Sequence, residues 1–429
     1  MRRRILIDAN ARDILQGTGI STYSRTLAAG LEALGHEVSW LSGKRAPRKA
    51  DALIDEVSLA DEAPAGGQLR QNWNTARLMC IGLAASRAVG RRTANTGVVA
   101  DPATRRTGAT FLAPEIYERA HYRHMLLGAF TETHIDGAVD VLHLTAPLPL
   151  KMSGVPTVTT IHDLAPIRLP RASPDNKAEF IRRMRTSARL ADLILTVSQH
   201  SRSDIIELLD VDPDRVAVTY QPTDLAPLTD HEAASIPRVL ARYGLTPHGY
   251  ALFVGAIEPK KNLRRLIQAF LDTDSDMPLA IVGKRAWMWR DEIGDIDQAL
   301  SPSARSRLRF LGYVDADDLR RLYSGALFVA FPSLFEGFGL PALEALTFGR
   351  PVIAGRGSSL SEICGDAALY ADPWDRAEIR DKIEAIMSDA ALRARLEQAA
   401  PAQAAKYSFG AYVAALGSAY ERLREYKAP

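Results

Sequence analysis

Short apolar runs separated by helix-length amphipathic segments recur along almost the whole of this chain, and no other feature narrows its fold as much. Ile5–Ala9 is followed by helical periodicity over Ile20–Leu34, a Gly35 stop and a second apolar run at Val38–Leu41. Val139–Leu144, Val155–Ile161, Leu193–Val197 and Val216–Val218 continue the series, with helices at Lys177–Leu190 and Arg202–Leu209 between them. Strands of a parallel sheet are covered on both faces and read as continuous apolar runs. The alternation therefore predicts right-handed βαβ units. A polar, proline-bearing stretch, Gln221–Pro237, interrupts the pattern. It then restarts with apolar runs at Tyr250–Gly255, Leu279–Val282, Leu308–Leu311, Leu327–Phe331, Val352–Ala354 and Ala368–Tyr370.

The length, 429 residues, is about twice what one core supports. Residues 1–225 and 238–405 are accordingly expected as two α/β domains, each a Rossmann-like parallel sheet, with facing edges that frame a cleft. In the remaining segment, 406–429, Tyr412, Leu416, Tyr420 and Leu423 share one face of a last helix, long enough to return to the first domain. Residues 43–110 depart from the pattern. They are rich in Ala, Arg, Gly and Thr, and read as an insertion, partly helical around Leu69–Val89 and loose around Gly90–Ala109.

Composition removes several function classes. With 53 Lys and Arg against 51 Asp and Glu, the net charge of +2 argues against a dedicated nucleic-acid binder. Two cysteines, Cys80 and Cys364, supply neither a disulfide framework nor a four-ligand zinc site, and no P-loop is present. Residues 1–50 nevertheless hold 9 basic and 4 acidic side chains, and residues 151–200 hold 8 and 4, which suits an anionic ligand or membrane surface. The run Leu78–Val89 is 12 residues long and broken by Arg87, short of the roughly 20 that a bilayer requires. After Arg2-Arg3-Arg4 only Ile5-Leu6-Ile7 precede Asp8, which fits a first buried strand better than an export signal. The expected location is the cytoplasm, with a peripheral contact to the inner membrane face left open.

Two loops carry most of the chemistry. In Phe335-Glu336-Gly337-Phe338-Gly339-Leu340-Pro341, a strand ends, a Gly-x-Gly loop follows, and Pro341 opens a helix. The N–H groups of Gly337, Phe338 and Gly339 are then left near the positive helix end, where hydroxyls or phosphate bind. Glu336 and, one turn into the helix, Glu344 can meet the same ligand at two depths. In Gly255-Ala256-Ile257-Glu258-Pro259-Lys260-Lys261-Asn262, two lysines precede a helix that Asn262 is placed to cap, an arrangement suited to a diphosphate. Each loop alone reads equally as an ordinary solvated turn. Val282-Gly283-Lys284-Arg285 puts further cations after a strand. His162-Asp163 follow the strand Val155–Ile161, as either structural or site residues, while Ser198 or Ser201 reads as a structural residue at the helix start, with Ser201-x-x-Asp204 as a capping box. Gly17-Thr18-Gly19 lacks the full dinucleotide fingerprint. The Asp-x-Asp pairs at 272/274/276, 295/297 and 315/317 lack a partner His and read as solvated charge rather than metal ligands.

Taken in order, the segments Gly17–Ile20, Thr160–Asp163, Thr196–Ser198, Val254–Asn262, Phe310–Val314, Phe331–Glu344 and Gly349–Val352 resemble the motifs of family-4 retaining glycosyltransferases of the GT-B fold. Ser358–Glu362 with Asp372-Pro373 fits as well, and the resemblance covers nearly everything except residues 43–135. It implies that the first domain binds the acceptor and the second the nucleotide-sugar donor. Glu336 would contact the donor hexose and Glu344 the ribose hydroxyls, with Gly337, Phe338 and Gly339 holding sugar and phosphate. Lys261, helped by Lys260, would neutralise the diphosphate; Gly19 would close over it and His162 would touch the transferred sugar. The base would rest near Gly312-Tyr313-Val314. Ala256 stands where many members carry Arg, so Lys284 or Arg285 is drawn in as a further cation. The Lys loop and the later Gly-Lys-Arg resemble a mannosyltransferase-like branch, which favours GDP-mannose as donor and a glycan or lipid-linked acceptor, in cell-surface polysaccharide or glycolipid synthesis.

No metal or cofactor is expected, because cations and a helix end can meet the leaving diphosphate. No carboxylate is identified opposite the leaving group, so the expected route is front-face, with the departing phosphate taking the acceptor's proton. The alternatives are a nucleotide-sugar epimerase or glycan phosphorylase on the same scaffold, or a non-catalytic nucleotide-sugar-binding subunit of a glycan assembly complex.

Overall fold

The computed structural model describes residues 2–10, 19–44, 87–93, 108–174, 176–294 and 300–423. The first domain is built on strands β1 (Arg4–Asp8), β2 (Glu37–Ser42), β3 (Arg87–Thr93), β4 (Thr110–Leu112), β5 (Thr131–Ile135), β6 (Val141–Leu144), β7 (Leu150–Lys151), β8 (Thr157–Thr160), β9 (Leu193–Thr196) and β10 (Val216–Val218). They form one sheet in the order β10-β9-β8-β6-β1-β2-β4-β3-β5-β7. The run from β10 to β4 is parallel, as in Ile5 opposite Val38 and Leu6 opposite Leu142, and β3 turns antiparallel to β4.

The second domain carries β11 (Ala251–Val254), β12 (Leu279–Val282), β13 (Leu308–Gly312), β14 (Phe328–Phe331), β15 (Val352–Gly355) and β16 (Ala368–Ala371). All are parallel, in the order β13-β12-β11-β14-β15-β16, the doubly wound arrangement in which order reverses between the first and fourth strands. Open sheets of this kind bind ligands beyond the strand ends at that reversal. Here those ends are the turns after β11 and β14, which hold the Lys-Lys and Gly-x-Gly segments. The four central strands, β12, β11, β14 and β15, are buried on both faces, as their unbroken apolar runs require: Leu252, Ala280, Val329 and Val352 pack on one side, Ala251, Phe253, Phe328 and Ile353 on the other.

One sequence reading is corrected. Arg87–Thr93, placed partly in a helical and partly in a loose stretch, is a strand paired with both β4 and β5. Its identity comes from its neighbours rather than from its own pattern. Residues 45–86 and 94–107 of the expected insertion, with Gly17, Thr18, Asp295 and Asp297, lie outside the described residues.

The chain passes between the domains twice. The first passage follows β10 into the helix Ile236–Arg242, whose Val239 and Leu240 are buried. The second leaves the helix Ala390–Ala405 at Tyr407 and enters the helix Phe409–Arg422, which packs on the first domain. There Tyr412, Leu416 and Tyr420 are buried against Tyr23, Leu27 and Leu31 of the helix Gly19–Ala33. Each such side chain contributes on the order of 2 kcal/mol. The contact is close because Gly30 has no side chain: a Cβ there would lie 2.9 Å from Tyr412 Cε1. Rings of the two passages touch, Tyr220 and Tyr407 standing edge to face at 5.3 Å. Among the described residues no helix is long and apolar enough to cross a membrane.

Candidate active site

The turn after β11 is a single 3-10 turn, Pro259–Lys261, ending at Asn262 in the left-handed conformation (φ 61°). Asn262 holds the N-cap position of the helix Leu263–Leu271 by its backbone alone. The expected side-chain cap is not made: Asn262 Oδ1 accepts from Arg265 Nη1 (2.5 Å), and Nδ2 donates to the carbonyls of Pro332 (2.9 Å) and Pro373 (2.7 Å). It thereby pins the lysine turn to the ends of β14 and β16. Leu334 N donates to Lys260 O at 2.8 Å, which adds a second tie.

These ties bring the two expected loops together. Lys261 Nζ donates to Glu336 Oε1 at 2.7 Å, with side chains 12% and 6% exposed, and lies 4.9 Å from the Phe331 ring centre. Lys260 sits 3.7 Å from the buried carboxylate of Glu258. Burial opposes the charge on Lys260, but Asp163, Glu336 and Glu258 outweigh it and hold the ammonium above its ordinary value. Burial raises the Glu258 carboxyl, against the pull of Lys260 and Lys261. The lysines are therefore not free cations waiting for a ligand. They are set among three carboxylates, of which Glu258 and Asp163 stand outside the expected site.

The Gly-x-Gly loop is the floor between the domains. Its backbone is held by Ser359 Oγ, which donates to Glu336 O (2.9 Å) and Phe338 O (2.8 Å), and by Ser201 Oγ, which donates to Gly337 O (3.2 Å) from the other domain. A Cβ on Gly337 would lie 2.8 Å from Asp163 Cβ and 3.0 Å from His162 O, so the domains meet here only because this position is glycine. Among the described residues, the N–H groups of Gly337, Phe338 and Gly339 have no hydrogen-bond acceptor. Gly339 (φ 104°) turns the chain into the helix Leu340–Thr347, where Pro341 is the second residue rather than the expected first. Phe338 offers only its backbone, since its ring is buried against Tyr220 and Tyr407. Glu344 accepts from Tyr323 OH at 2.7 Å. Burial pushes its carboxyl up to about 7, with Asp224 adding to the rise and the Tyr323 hydrogen bond opposing it.

From the first domain, His162 Nε2 donates to Thr145 O at 3.0 Å, and its ring stands edge to face on Tyr23 at 4.7 Å. Burial lowers its pKa, which keeps the imidazole neutral with the proton on Nε2. Tyr23 OH bonds Thr160 Oγ1 (2.7 Å), which bonds His143 Nε2 (3.0 Å), whose Nδ1 reaches Tyr420 OH at 2.6 Å on the last helix. A buried chain thus joins that helix to the surroundings of His162.

Other expected residues lie further out. Gly19 opens the helix Gly19–Ala33 in an exposed position, Lys284 is exposed, and Tyr313 is 85% exposed at the end of β13. Arg285 covers the Trp289 ring at 4.2 Å. The helix after β9 is capped by Ser198, which accepts from Ser201 N, so the Ser201–Asp204 capping box is not formed; Asp204 pairs with Arg168 at 2.6 Å. That helix receives Glu362 of the other domain at Gln199 N (2.8 Å) and His200 N (3.2 Å). Asp272 pairs with Arg376, and Asp315 caps the helix Ala316–Gly325. Among the described residues, no three His, Cys, Asp or Glu side chains are grouped to hold a metal ion.

Residues 17–227 match the family "Glycosyltransferase Family 4", and residues 245–403 match "Glycosyl transferases group 1". The two matches take in both sides of the cleft. The chain belongs to glycosyltransferase family 4. It is 37% identical over 258 residues to an Escherichia coli "O-antigen chain mannosyltransferase B", covering 59% of this chain and 66% of that one. To an E. coli "Serotype-specific mannosyltransferase WbdA" it is 30% identical over 288 residues, covering 66% of this chain and 34% of that one. The matched region thus spans less than two thirds of either relative. A sucrose-phosphate synthase from Thermosynechococcus elongatus shares the fold, with a TM-score of 0.68, 17% identity and coverage of 99% of this chain and 100% of that one. The two-domain GT-B architecture of this family 4 chain is therefore established. The Lys261–Glu336 pair and the open N–H groups of the Gly-x-Gly loop lie at its sheet reversal, between the domains.

Proposed function

We propose that this chain is a retaining glycosyltransferase that moves a hexose, mannose from GDP-mannose being favoured, from a nucleotide diphosphate sugar to a glycan or lipid-linked acceptor. One observation carries the reading: Lys261 and Glu336, bonded at 2.7 Å, adjoin three backbone N–H groups that have no acceptor among the described residues, where the parallel sheet reverses its order. The mannosyl preference draws on the two relatives' names.

In this reading the diphosphate displaces Glu336 from Lys261, freeing the carboxylate for sugar hydroxyls while Lys261 and Lys260 meet the phosphate charge. Preformed N–H dipoles and ammonium groups aimed at the leaving group lower the barrier. Neutral His162, donating to Thr145 O, presents Nδ1 as an acceptor for a sugar hydroxyl. The departing phosphate takes the acceptor's proton on the same face, and contact of Gly337 with Asp163 excludes water. Metal and cofactor have no assigned part. The exposed Arg182, Arg185 and Arg189 of the helix Lys177–Leu190 give the first domain a basic face for an anionic membrane or a lipid diphosphate.

A panel of nucleotide sugars scored by thermal shift and slow donor hydrolysis tests this. GDP-mannose should give the largest shift and measurable hydrolysis, unchanged by a chelator. A larger response to another sugar nucleotide removes the donor assignment, and no response to any removes the function. Salt-sensitive sedimentation with anionic liposomes checks the membrane face.

Glu344 adds a pH dependence. A carboxylate accepts two ribose hydroxyls better than a neutral carboxyl does, so nucleotide affinity should rise with pH through about 7, where Glu344 titrates. Equilibrium binding of the nucleoside diphosphate across pH should show that rise in wild type and a flat profile in Glu344→Gln. An equal slope in both would remove Glu344 from the nucleotide site. For the ligand-free fold the sign is opposite. A raised carboxyl pKa contributes stability at acid pH, and that contribution is lost as pH rises through about 7.

A further inference from the structure

Behind the lysine turn, and separate from the cleft described above, a cavity of about 530 Å³ lies on the seam between the domains. One wall is the segment Arg168–Ala172 of the first domain; the other is the outer side of the turn and helix 259–268, with Glu292, Leu334 and Trp374. Its volume falls in the range of small-molecule clefts.

The charges in this cavity are unevenly matched. Arg168 is neutralised by Asp204 at 2.6 Å. Arg171 on the same wall has no carboxylate partner among the described residues. On the opposite wall, Arg265 bonds neutral oxygens, Asn262 Oδ1 at 2.5 Å and Pro373 O at 3.1 Å, has no carboxylate partner among the described residues, and lies 5.2 Å from the Trp374 ring. Of the four arginines that line the cavity, Arg264 donates from Nε to Asp291 O at 3.1 Å, while Arg171 and Arg265 reach it from two domains, against one carboxyl, Glu292, among the described lining residues. Burial raises that carboxyl, and it accepts from Arg264 N at 3.1 Å. The Trp374 indole, 58% exposed, has Arg265 on it and solvent beyond. A flat exposed indole with planar amide and carboxyl groups nearby (Gln268 and Glu292) suits the apolar face and hydroxyls of a sugar ring. Unpaired arginines suit a carboxylate or phosphate on that ring.

We propose that this cavity binds an anionic sugar unit, a hexose bearing a phosphate or a carboxylate, stacked on Trp374 and held by Arg171 and Arg265. The assignment rests on the cavity alone and stands whether or not the cleft holds a nucleotide sugar. Because its walls come from both domains, the bound sugar ties them together at the seam, where Trp287 Nε1 already donates to Ala172 O at 3.1 Å.

Calorimetric titration of the full chain with mannose 6-phosphate, a glucuronate-ended disaccharide, methyl mannoside and inorganic phosphate tests it. Both charged sugars should bind, the neutral sugar and inorganic phosphate more weakly. Arg171→Glu and Trp374→Ala change exposed side chains, so both should fold, and each should weaken binding more than about tenfold. The double substitution Lys261→Met with Glu336→Gln, in the other site, removes both charges of that pair and should leave this binding unchanged. Tighter binding of the disaccharide assigns the cavity to a unit of a longer glycan, and tighter binding of the sugar phosphate to a free metabolite of that class. The proposal is overturned by no binding of either charged sugar, by equal binding in wild type and both variants, by loss in the double substitution Lys261→Met with Glu336→Gln, or by inorganic phosphate binding as tightly as the sugar phosphate.

Discussion

Lys261→Ala and Glu336→Ala are each expected to lower glycosyl transfer by more than about tenfold, at least ~1.4 kcal/mol of transition-state stabilisation. The reason is the same contact seen from two sides. Each is the other's counter-ion at 2.7 Å, in surroundings that leave little of either exposed. Removing one leaves a nearly buried charge unmatched, which costs about 3–5 kcal/mol in comparable buried pairs and less wherever water enters. Loss of transfer in the single variants could then reflect a damaged fold. The double substitution Lys261→Met with Glu336→Gln separates the effects, since it removes both charges and keeps most of the volume. Its melting temperature should return close to wild type while its transfer rate stays at the level of the worse single variant. Wild-type rates in either single variant, measured with saturating donor, would remove the pair from the reaction.

A comparably large effect on stability is expected at Gly283, outside the ion pair. A Cβ there would sit 1.9 Å from Gly255 O, a backbone atom that cannot rotate away, and the residue's φ of 149° disfavours any other side chain. The two glycines lie at the ends of adjacent strands, where Gly255 N donates to Val282 O at 2.9 Å and Gly283 N to Gly312 O at 2.8 Å. Gly283→Ala must push β11 and β12 apart at the mouth of the site. Backbone strain and overpacking together put the cost at about 3 kcal/mol or more. Gly410→Ala is the control: nothing lies within 4 Å of a Cβ there, and the position is helical, so its melting temperature should hold or rise. Calorimetry showing no loss for Gly283→Ala would mean that these strand ends part freely.

The legible parts of the sequence and the hidden ones differ for a physical reason. The second sheet was readable because Leu252, Val329 and Ile353 belong to strands covered on both faces, which must be apolar throughout. By contrast, β5 (Thr-Glu-Thr-His-Ile) and the two-residue β7 lie at the sheet's edge, where pairing rather than burial defines a strand. Lys260, Lys261 and Glu336 were legible because site residues follow strand ends, and strand ends can be located from apolar runs. The roles of Glu258 and Asp163 are hidden in the sequence, since they depend on the approach of separate chain segments to Lys260 and Gly337. Asn262 reads as a cap because Asn commonly caps; Arg265 on its Oδ1, with Pro332 and Pro373 on its Nδ2, diverts the side chain.

The return of the last helix to the first domain has a mechanical outcome. Two covalent connections join the halves, and at Tyr220 and Tyr407 they lie side by side. A body attached at two neighbouring points swings readily about the line through them and resists twisting or sliding. Travel should therefore be least beside Tyr407 and grow with distance from that line, so contacts such as Gly337 on Asp163 and Trp287 on Ala172 would part along one common arc.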